Sequence, residues 1–361
     1  MKRTIAIFCL LLSLPIHALE VVFINPSMKG NDFWDQVNRV ASAAANDLKI
    51  SLKIIQSGGH RLLQKELVNK LIAQDSKPDY VIFMPYDGTA FESFTKLEQA
   101  KIPFVTLERT VFPDLQLKLG YPQEHFKFWL GEIYHNNKKA GRLLANALIN
   151  ASKKSLPVTN NLNVVGISGD MSGHSSERDS GLVEELEHDD DFSLAQIVNA
   201  RWERRIASDM FIGLQRRYKD IEVVWSAADI MALGVADIAN KHGKTINHNL
   251  FIGGFDWTTE ALQAIKENRY TASVGGHFMQ VAWALVKIYD YNKGKPAFTI
   301  NNNAPSYLLQ LIDRNNINGY HVLLNSPDWS NIDFREFSLS HQTDLSYYQF
   351  DFSIVLDKLN Q

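Results

Sequence analysis

The chain has 361 residues, 45% hydrophobic and 21% charged, which is more apolar material than one domain core usually holds. Its formal net charge of -3 leaves no basic footprint for nucleic acid. Basic pairs such as Arg204-Arg205 and Arg216-Arg217 read as solvated helix faces.

The first element is a leader. Lys2 and Arg3 precede an apolar run over 5–14, followed by Pro15-Ile16-His17-Ala18, the order of a secretory signal peptide over 1–18. The run is too short to cross a bilayer, which takes about 20 residues. Cleavage near Ala18 removes Lys2 and Arg3 and takes the net charge from -3 to -5. It also removes Cys9, the only cysteine, and Phe8 is not the small residue that a lipid-anchor cysteine requires before it. The expected mature chain, about 340 residues, is soluble and extracytoplasmic, without thiol, disulfide or cysteine metal site, and long enough for two domains.

From residue 21 onward, short β-branched runs alternate with helical spacing. Strands are expected at 21–24, 52–55, 80–83 and 103–107, with helices after the first three. Asp87 is placed to cap the third helix. A long helix over 137–150 precedes a second series, with strands at 164–167, 197–199, 223–226 and 251–255. Its helices fall near 177–186, 206–217, 232–241 and 259–267. This β-α-β-α order predicts an α/β protein with two parallel sheets, and so two lobes with a crevice between them. Beyond about residue 315, Trp329, Phe334, Phe337, Tyr347, Tyr348, Phe350 and Phe352 sit among polar residues without helical period. They form either an irregular tail packed across the lobes or a docking surface for a partner.

Functional residues are expected past the carboxyl ends of the strands, where open parallel sheets bind ligands. After the first strand, a polar loop with Asn31 ends in Phe33 and Trp34 at a helix start. An aromatic ring offers a flat apolar contact to a sugar face, while amides and carboxylates take its hydroxyls. One of the two rings should be core, because adjacent helical residues point about 100° apart. Glu108-Arg109 follows the fourth strand, as a paired polar floor or as a structural salt bridge. In the second lobe, Arg178 opens a helix and can fork onto two oxygens. Trp202 is a second stacking platform, and Asp256 a hydroxyl acceptor. Asp229 reads as a helix N-cap. Catalytic signatures are missing: Gly166-Ile167-Ser168-Gly169-Asp170 is not a nucleophile elbow, and no phosphate loop or zinc motif occurs. The acidic stretch 184–191 lacks calcium-loop spacing. No catalytic residue, metal site or cofactor is therefore assigned.

In this order, several segments give the chain a resemblance to the type I periplasmic binding proteins. They are Asp32-Phe33-Trp34, Met84-Pro85-Tyr86-Asp87, Ile102 to Arg109, Arg178-Asp179-Ser180-Gly181, Asp229 to Gly234 and Gly253-Gly254-Phe255-Asp256. The class is that of the ribose- and galactose-binding proteins, with the autoinducer-2-binding proteins as distant relatives. The resemblance spans roughly 20–315. It implies two Rossmann-like lobes joined by three crossing strands, near 131–134, 275–277 and 308–311. The lobes would be 19–131 with 277–308 and 132–276 with 309–320, leaving 321–361 as the tail.

By the same resemblance, Asn31, Phe33, Trp34, Glu108 and Arg109 are ligand contacts of the first lobe. Arg178, Trp202 and Asp256 are those of the second. Glu108 replaces an Asp or Asn. Ala228 stands where the ribose pattern has Asn, and Gly276 where it has Gln or, in the autoinducer-2 pattern, a second Arg. His277 is the residue that compensates. Without a second Arg, a neutral sugar or polyol fits better than an anionic borate diester. The implied role is a monomeric periplasmic receptor for a small polyhydroxylated ligand. Its implied partner is an ABC permease or, alternatively, a membrane sensor protein such as a kinase or cyclase. An enzyme is the distant alternative. A repressor of this fold is excluded, because a leader occupies the place of its DNA-binding segment.

Overall fold

The computed structural model describes residues 18–108, 110–157, 161–218, 220–298, 305–342 and 347–360. Most of the expected leader with Cys9, and the candidate Arg109, lie outside the described residues.

Strands β1 (Leu19–Asn25), β2 (Ile50–Gln56), β3 (Tyr80–Phe83), β4 (Phe104–Leu107) and β5 (Trp129–Ile133) form a parallel sheet in the order β2-β1-β3-β4-β5. Helices α1 (Asp32–Leu48), α2 (Arg61–Ile72), α3 (Ala90–Ala100) and α4 (Pro113–Leu119) connect them. The strands read as unbroken apolar runs because both faces are covered. Val21 and Phe23 join one core cluster with Val37, Val40 and Ala44 of α1. Val22 and Ile24 join another with Val68 of α2 and Phe94 of α3. In that second cluster the Phe94 ring meets Phe83, Phe104 and Trp129 edge-on.

The chain then leaves the first sheet. Helix α5 (Asn137–Ser155) precedes β6 (Leu162–Ser168), α6 (Gly173–Leu186), β7 (Phe192–Asn199), α7 (Arg204–Arg217) and β8 (Val223–Ser226). Then come α8 (Asp229–Ala239), β9 (Phe251–Phe255), α9 (Thr259–Lys266) and β10 (Ala272–Gly275). Helix α10 (Gln280–Asn292) returns to pack on α1, β4 and β5, and β11 (Gln310–Asp313) rejoins the second sheet. That sheet runs β11-β10-β9-β8-β6-β7 and is parallel except for β11, which pairs antiparallel with β10. The chain thus passes between the sheets after β5, after β10 and through 305–309. β5 continues to Ile133, two residues past the expected lobe boundary.

Two close approaches position α6. A Cβ on Gly141 of α5 would lie 2.1 Å from the Arg178 carbonyl oxygen, and one on Gly181 would lie 2.2 Å from that of Lys138. Only glycine lets the two helix backbones meet this closely, and their contact sets Arg178 beside Asn137.

Several local expectations need correction. Asp87 does not cap α3: the N-cap is Thr89, and the Asp87 carboxylate instead accepts from the Phe112 N–H at 3.4 Å. Asp229 is the first residue of α8 rather than its cap, which is Ala228. Helix α6 starts at Gly173, so Arg178 lies in its second turn.

The C-terminal segment is not wholly irregular. Short 3-10 turns at Ile317–Asn325, Trp329–Asn331 and Phe334–Phe337 lead to helix α11 (Phe352–Leu359), which buries Phe352 and Val355. Two turns of apolar spacing were too short to stand out against the flanking aromatics. Trp329, Phe334, Phe337, Phe350 and Phe352 are buried, Tyr348 is half-buried, and Tyr347 is exposed. Phe350 stacks on Trp283 of α10 at 4.6 Å, and Phe352 meets Trp257, which follows β9, at 5.3 Å. The segment therefore packs against elements belonging to both sheets. Among the described residues no helix is long and apolar enough to cross a membrane.

Candidate functional site

A cavity of about 520 Å³ lies between the carboxyl ends of the two sheets. Asn31, Phe33, Trp34, Glu108, Arg178, Trp202, Asp256 and His277 all line it. Every candidate ligand contact among the described residues thus reaches one space.

One wall comes from the start of α1. Asn31 is its N-cap, and its Oδ1 accepts from the Trp34 N–H at 3.1 Å. Phe33 is buried, 4.5 Å from the His277 ring, and Trp34 meets it edge-on at 5.2 Å and stays half-buried. The opposite wall is Trp202, at a φ of 60° after β7. Its ring lies over Gly169, where a Cβ would come within 2.1 Å, and stacks on His174. His174, which lies between segment 166–170 and Arg178 and has no sequence signal of its own, also lines the cavity.

The floor is a buried charged network. Arg178 is 3% exposed. Its Nε donates to Asn137 Oδ1 and its Nη1 to the Ala227 carbonyl oxygen, each at 2.9 Å, and its Nη2 lies 3.9 Å from Glu108 Oε2. The guanidinium also sits over the Phe255 ring at 4.6 Å. Glu108 Oε1 accepts from Gln280 Nε2 at 2.9 Å. Arg178 thus has its charge balanced and its plane fixed, with further N–H groups free to fork onto a ligand.

Beside it, His277 Nε2 lies 3.2 Å from Asp256 Oδ1. Burial pushes the Asp256 carboxyl up to about 8 and the His277 ring down to about 3. Desolvation outweighs the pull of Arg178 on Asp256 and of Glu108 on His277, so the contact is a neutral hydrogen bond rather than an ion pair. Burial and the nearby Arg178 also lower His174, to about 4. Asp256 adopts a φ of 112°, and a second buried carboxyl lies near it. The buried Asp229 carboxyl accepts from the Thr258 N–H at 3.1 Å, from Tyr270 Oη at 2.9 Å and from Ser273 Oγ at 2.9 Å. Asp229 thus ties the turn after β9 to Tyr270 and β10 rather than capping a helix.

The two sides also touch directly. The Gly173 N–H at the start of α6 donates to the Thr110 carbonyl oxygen after β4, at 2.8 Å. Among the described residues, no group of three His, Cys, Asp or Glu side chains is placed to hold a metal ion.

Two sheets with their strand ends facing one cavity, joined by repeated passages of the chain, agree with the match of residues 21–296 to the periplasmic binding protein domain family. The chain is a type I periplasmic binding protein. This binding protein is 24% identical over 250 residues to the D-allose-binding periplasmic protein of Escherichia coli (strain K12), covering 68% of this chain and 75% of that one. It resembles the crystal structure of a periplasmic sugar-binding protein from Pseudomonas fluorescens, with a TM-score of 0.81 at 24% identity over 95% of this chain and 100% of that one. The uncovered part is too short to leave out the whole C-terminal segment, so the likeness of fold extends into it. A solute-binding protein from Actinobacillus succinogenes 130z with bound D-allose gives a TM-score of 0.70 at 18% identity, over 83% and 99% of the two chains.

Proposed function

We propose that this binding protein is exported by residues 1–18, works in the periplasm, and closes on a small carbohydrate or polyol that it presents to an ABC importer. The observation that carries the reading is the cavity itself. Aromatic faces from the two sides, Phe33 with Trp34 and Trp202 with His174, flank a floor of Glu108, Arg178 and Asp256. Flat apolar walls with fixed donors and acceptors below match a ring that is CH-rich on its faces and hydroxylated at its rim. The D-allose-binding and ABC-transporter descriptions of similar proteins support the ligand class and the importer.

Residues 19–133 with 277–308 and residues 134–276 with 309–320 would be the moving lobes. Ligand contacts from both would shift an open–closed equilibrium by favouring the closed state. The described relatives are binding proteins, which supports binding without turnover. The aromatic C-terminal segment, on which the sensor alternative rested, has most of its rings used in packing.

A thermal-shift and calorimetric screen of D-allose, other aldoses, furanose-forming sugars, polyols and autoinducer-2 tests the reading. Stabilisation by a sugar or polyol, as mass action requires, is the expected result. A screen with no response from any of them would overturn the ligand class.

A further inference from the structure

A change of angle between the sheets has to be absorbed in the three passages that join them. Each passage gives one ring to a single buried cluster: His135 after β5, His277 after β10, and Tyr307 from 305–309. The His135 ring is 5.2 Å from that of His277 and 5.6 Å from that of Tyr307, and its Nδ1 lies 3.2 Å from Tyr307 Oη. On its other edge, His135 Nε2 lies 2.9 Å from Asn137 Oδ1, the oxygen that also accepts from Arg178 Nε.

The donors of this chain can be assigned. Arg178 Nε only donates, so the Asn137 atom facing it is the oxygen. An amide oxygen only accepts, so His135 carries its proton on Nε2. Burial, with His277 and Arg178 nearby, keeps the ring neutral, which leaves Nδ1 as an acceptor for the Tyr307 hydroxyl. The order is Tyr307 to His135 to Asn137, with Arg178 donating to the same amide oxygen.

We propose that His135 is a positioning residue that ties the geometry of the three passages to the presentation of Arg178 in the cavity. The proposal rests on the reading of that cavity as a ligand cleft. Rotation in any passage moves the rings of the cluster against one another. His135, bonded to Tyr307 and to Asn137, passes that movement to the amide that orients the guanidinium. Removal of its two hydrogen bonds would leave the Asn137 amide oxygen with Arg178 Nε as its remaining partner, so that the amide no longer follows the passages.

The test uses the mature protein, D-allose as probe, and the Arg178 Nε–H resonance as a readout that needs no ligand. His135→Phe keeps a ring and removes both hydrogen bonds. His135→Gln restores an uncharged donor at the place of Nε2. Expected is a shift of the Arg178 resonance and about tenfold weaker D-allose binding in His135→Phe, the scale of one lost bond in a charged network, with recovery of both in His135→Gln. Equal losses in the two variants would reduce His135 to a packing role and overturn the proposal, as would an unmoved resonance in His135→Phe. Should the natural protein not bind D-allose, the resonance alone decides, and the sugar assignment fails separately. Should His135→Phe not fold, Tyr307→Phe is read in its place, with a shifted Arg178 resonance expected and an unshifted one overturning the proposal.

Discussion

The indole of Trp202 and the imidazole of His174 stack in parallel, their centroids 5.5 Å and their planes 5° apart. Residues 28 positions apart thus form one flat wall, and the space over Gly169 lets the indole lie there. Trp202→Ala should weaken sugar binding about tenfold or more, as for a buried aromatic anchor, and leave a folded protein. Gly169→Ala should weaken it in the same direction by displacing the ring. Calorimetry on both, beside Trp34→Ala on the opposite wall, checks the stacking role, and unchanged affinity in all three would refute it.

Arg178→Ala removes charged hydrogen bonds and should cost about 1.5–3 kcal/mol of binding free energy. Arg178→Lys should recover little of this, because an ammonium cannot reproduce the planar fork that now meets Asn137 and the Ala227 carbonyl. An unchanged titration for Arg178→Ala would contradict the assignment.

The pairing of Asp256 with His277 predicts how stability depends on pH. Asp256 keeps a proton up to about 8, whereas an ordinary carboxyl loses it near 3.8, so its contribution is complete at low pH and is lost as pH rises through 8. His277 and His174, lowered to about 3 and about 4 from 6.5, are neutral in the folded protein where the unfolded chain is protonated. Between about 3.8 and 8 stability is lost through Asp256, with Asp229 and, up to about 6, Asp179 acting in the same direction. His277, His174 and His135 add stability up to about 6.5, so the decline stands unopposed by the histidines only above 6.5. The melting temperature of the ligand-free protein should fall from about pH 6.5 toward 8. Asp256→Asn should flatten the alkaline limb, and a limb of unchanged slope would show that another group carries it.

Asp290, buried on α10, anchors the C-terminal segment. Its carboxylate accepts from Ser338 Oγ at 2.6 Å, the Leu339 N–H at 2.7 Å, the Ser340 N–H at 3.0 Å and Tyr348 Oη at 3.0 Å. Asp290→Ala strands buried donors and should lower stability by roughly 3 kcal/mol. Denaturant unfolding measures the loss, and limited proteolysis should show cleavage within 338–348. Asp290→Asn, which keeps one acceptor oxygen, should be milder. A fully protected segment in Asp290→Ala would remove Asp290 as the anchor.

The fold was legible wherever a short-range pattern has a single structural meaning. Runs such as Val21 to Ile24 and Val223 to Ser226 are buried on both faces, as interior strands of a parallel sheet are. The cavity-lining positions were legible for a related reason, since loops after such strands share one end of the sheet. Less visible were groups whose partners are remote in sequence. Asp229 has the composition of a helix cap, but its partners Tyr270 and Ser273 lie more than 40 residues away. His135 and Asn137 follow β5, which was expected only as a crossing near 131–134, and Tyr307 lies in the third passage, so none of them follows an expected strand end. Asp87 is drawn off its expected cap by the Phe112 N–H, a contact across 25 residues.

By itself, then, the sequence determined the alternation of strands and helices, the placing of aromatic and charged side chains at strand ends, and the leader-like start. These depend on spacing and residue type, which the chain carries locally. Only the tertiary structure decided that Arg178 lies between Glu108, Asn137 and Ala227, that Asp256 meets His277 as a neutral pair, and that the C-terminal rings turn inward. Each depends on which groups are buried together, and burial there sets both protonation and orientation.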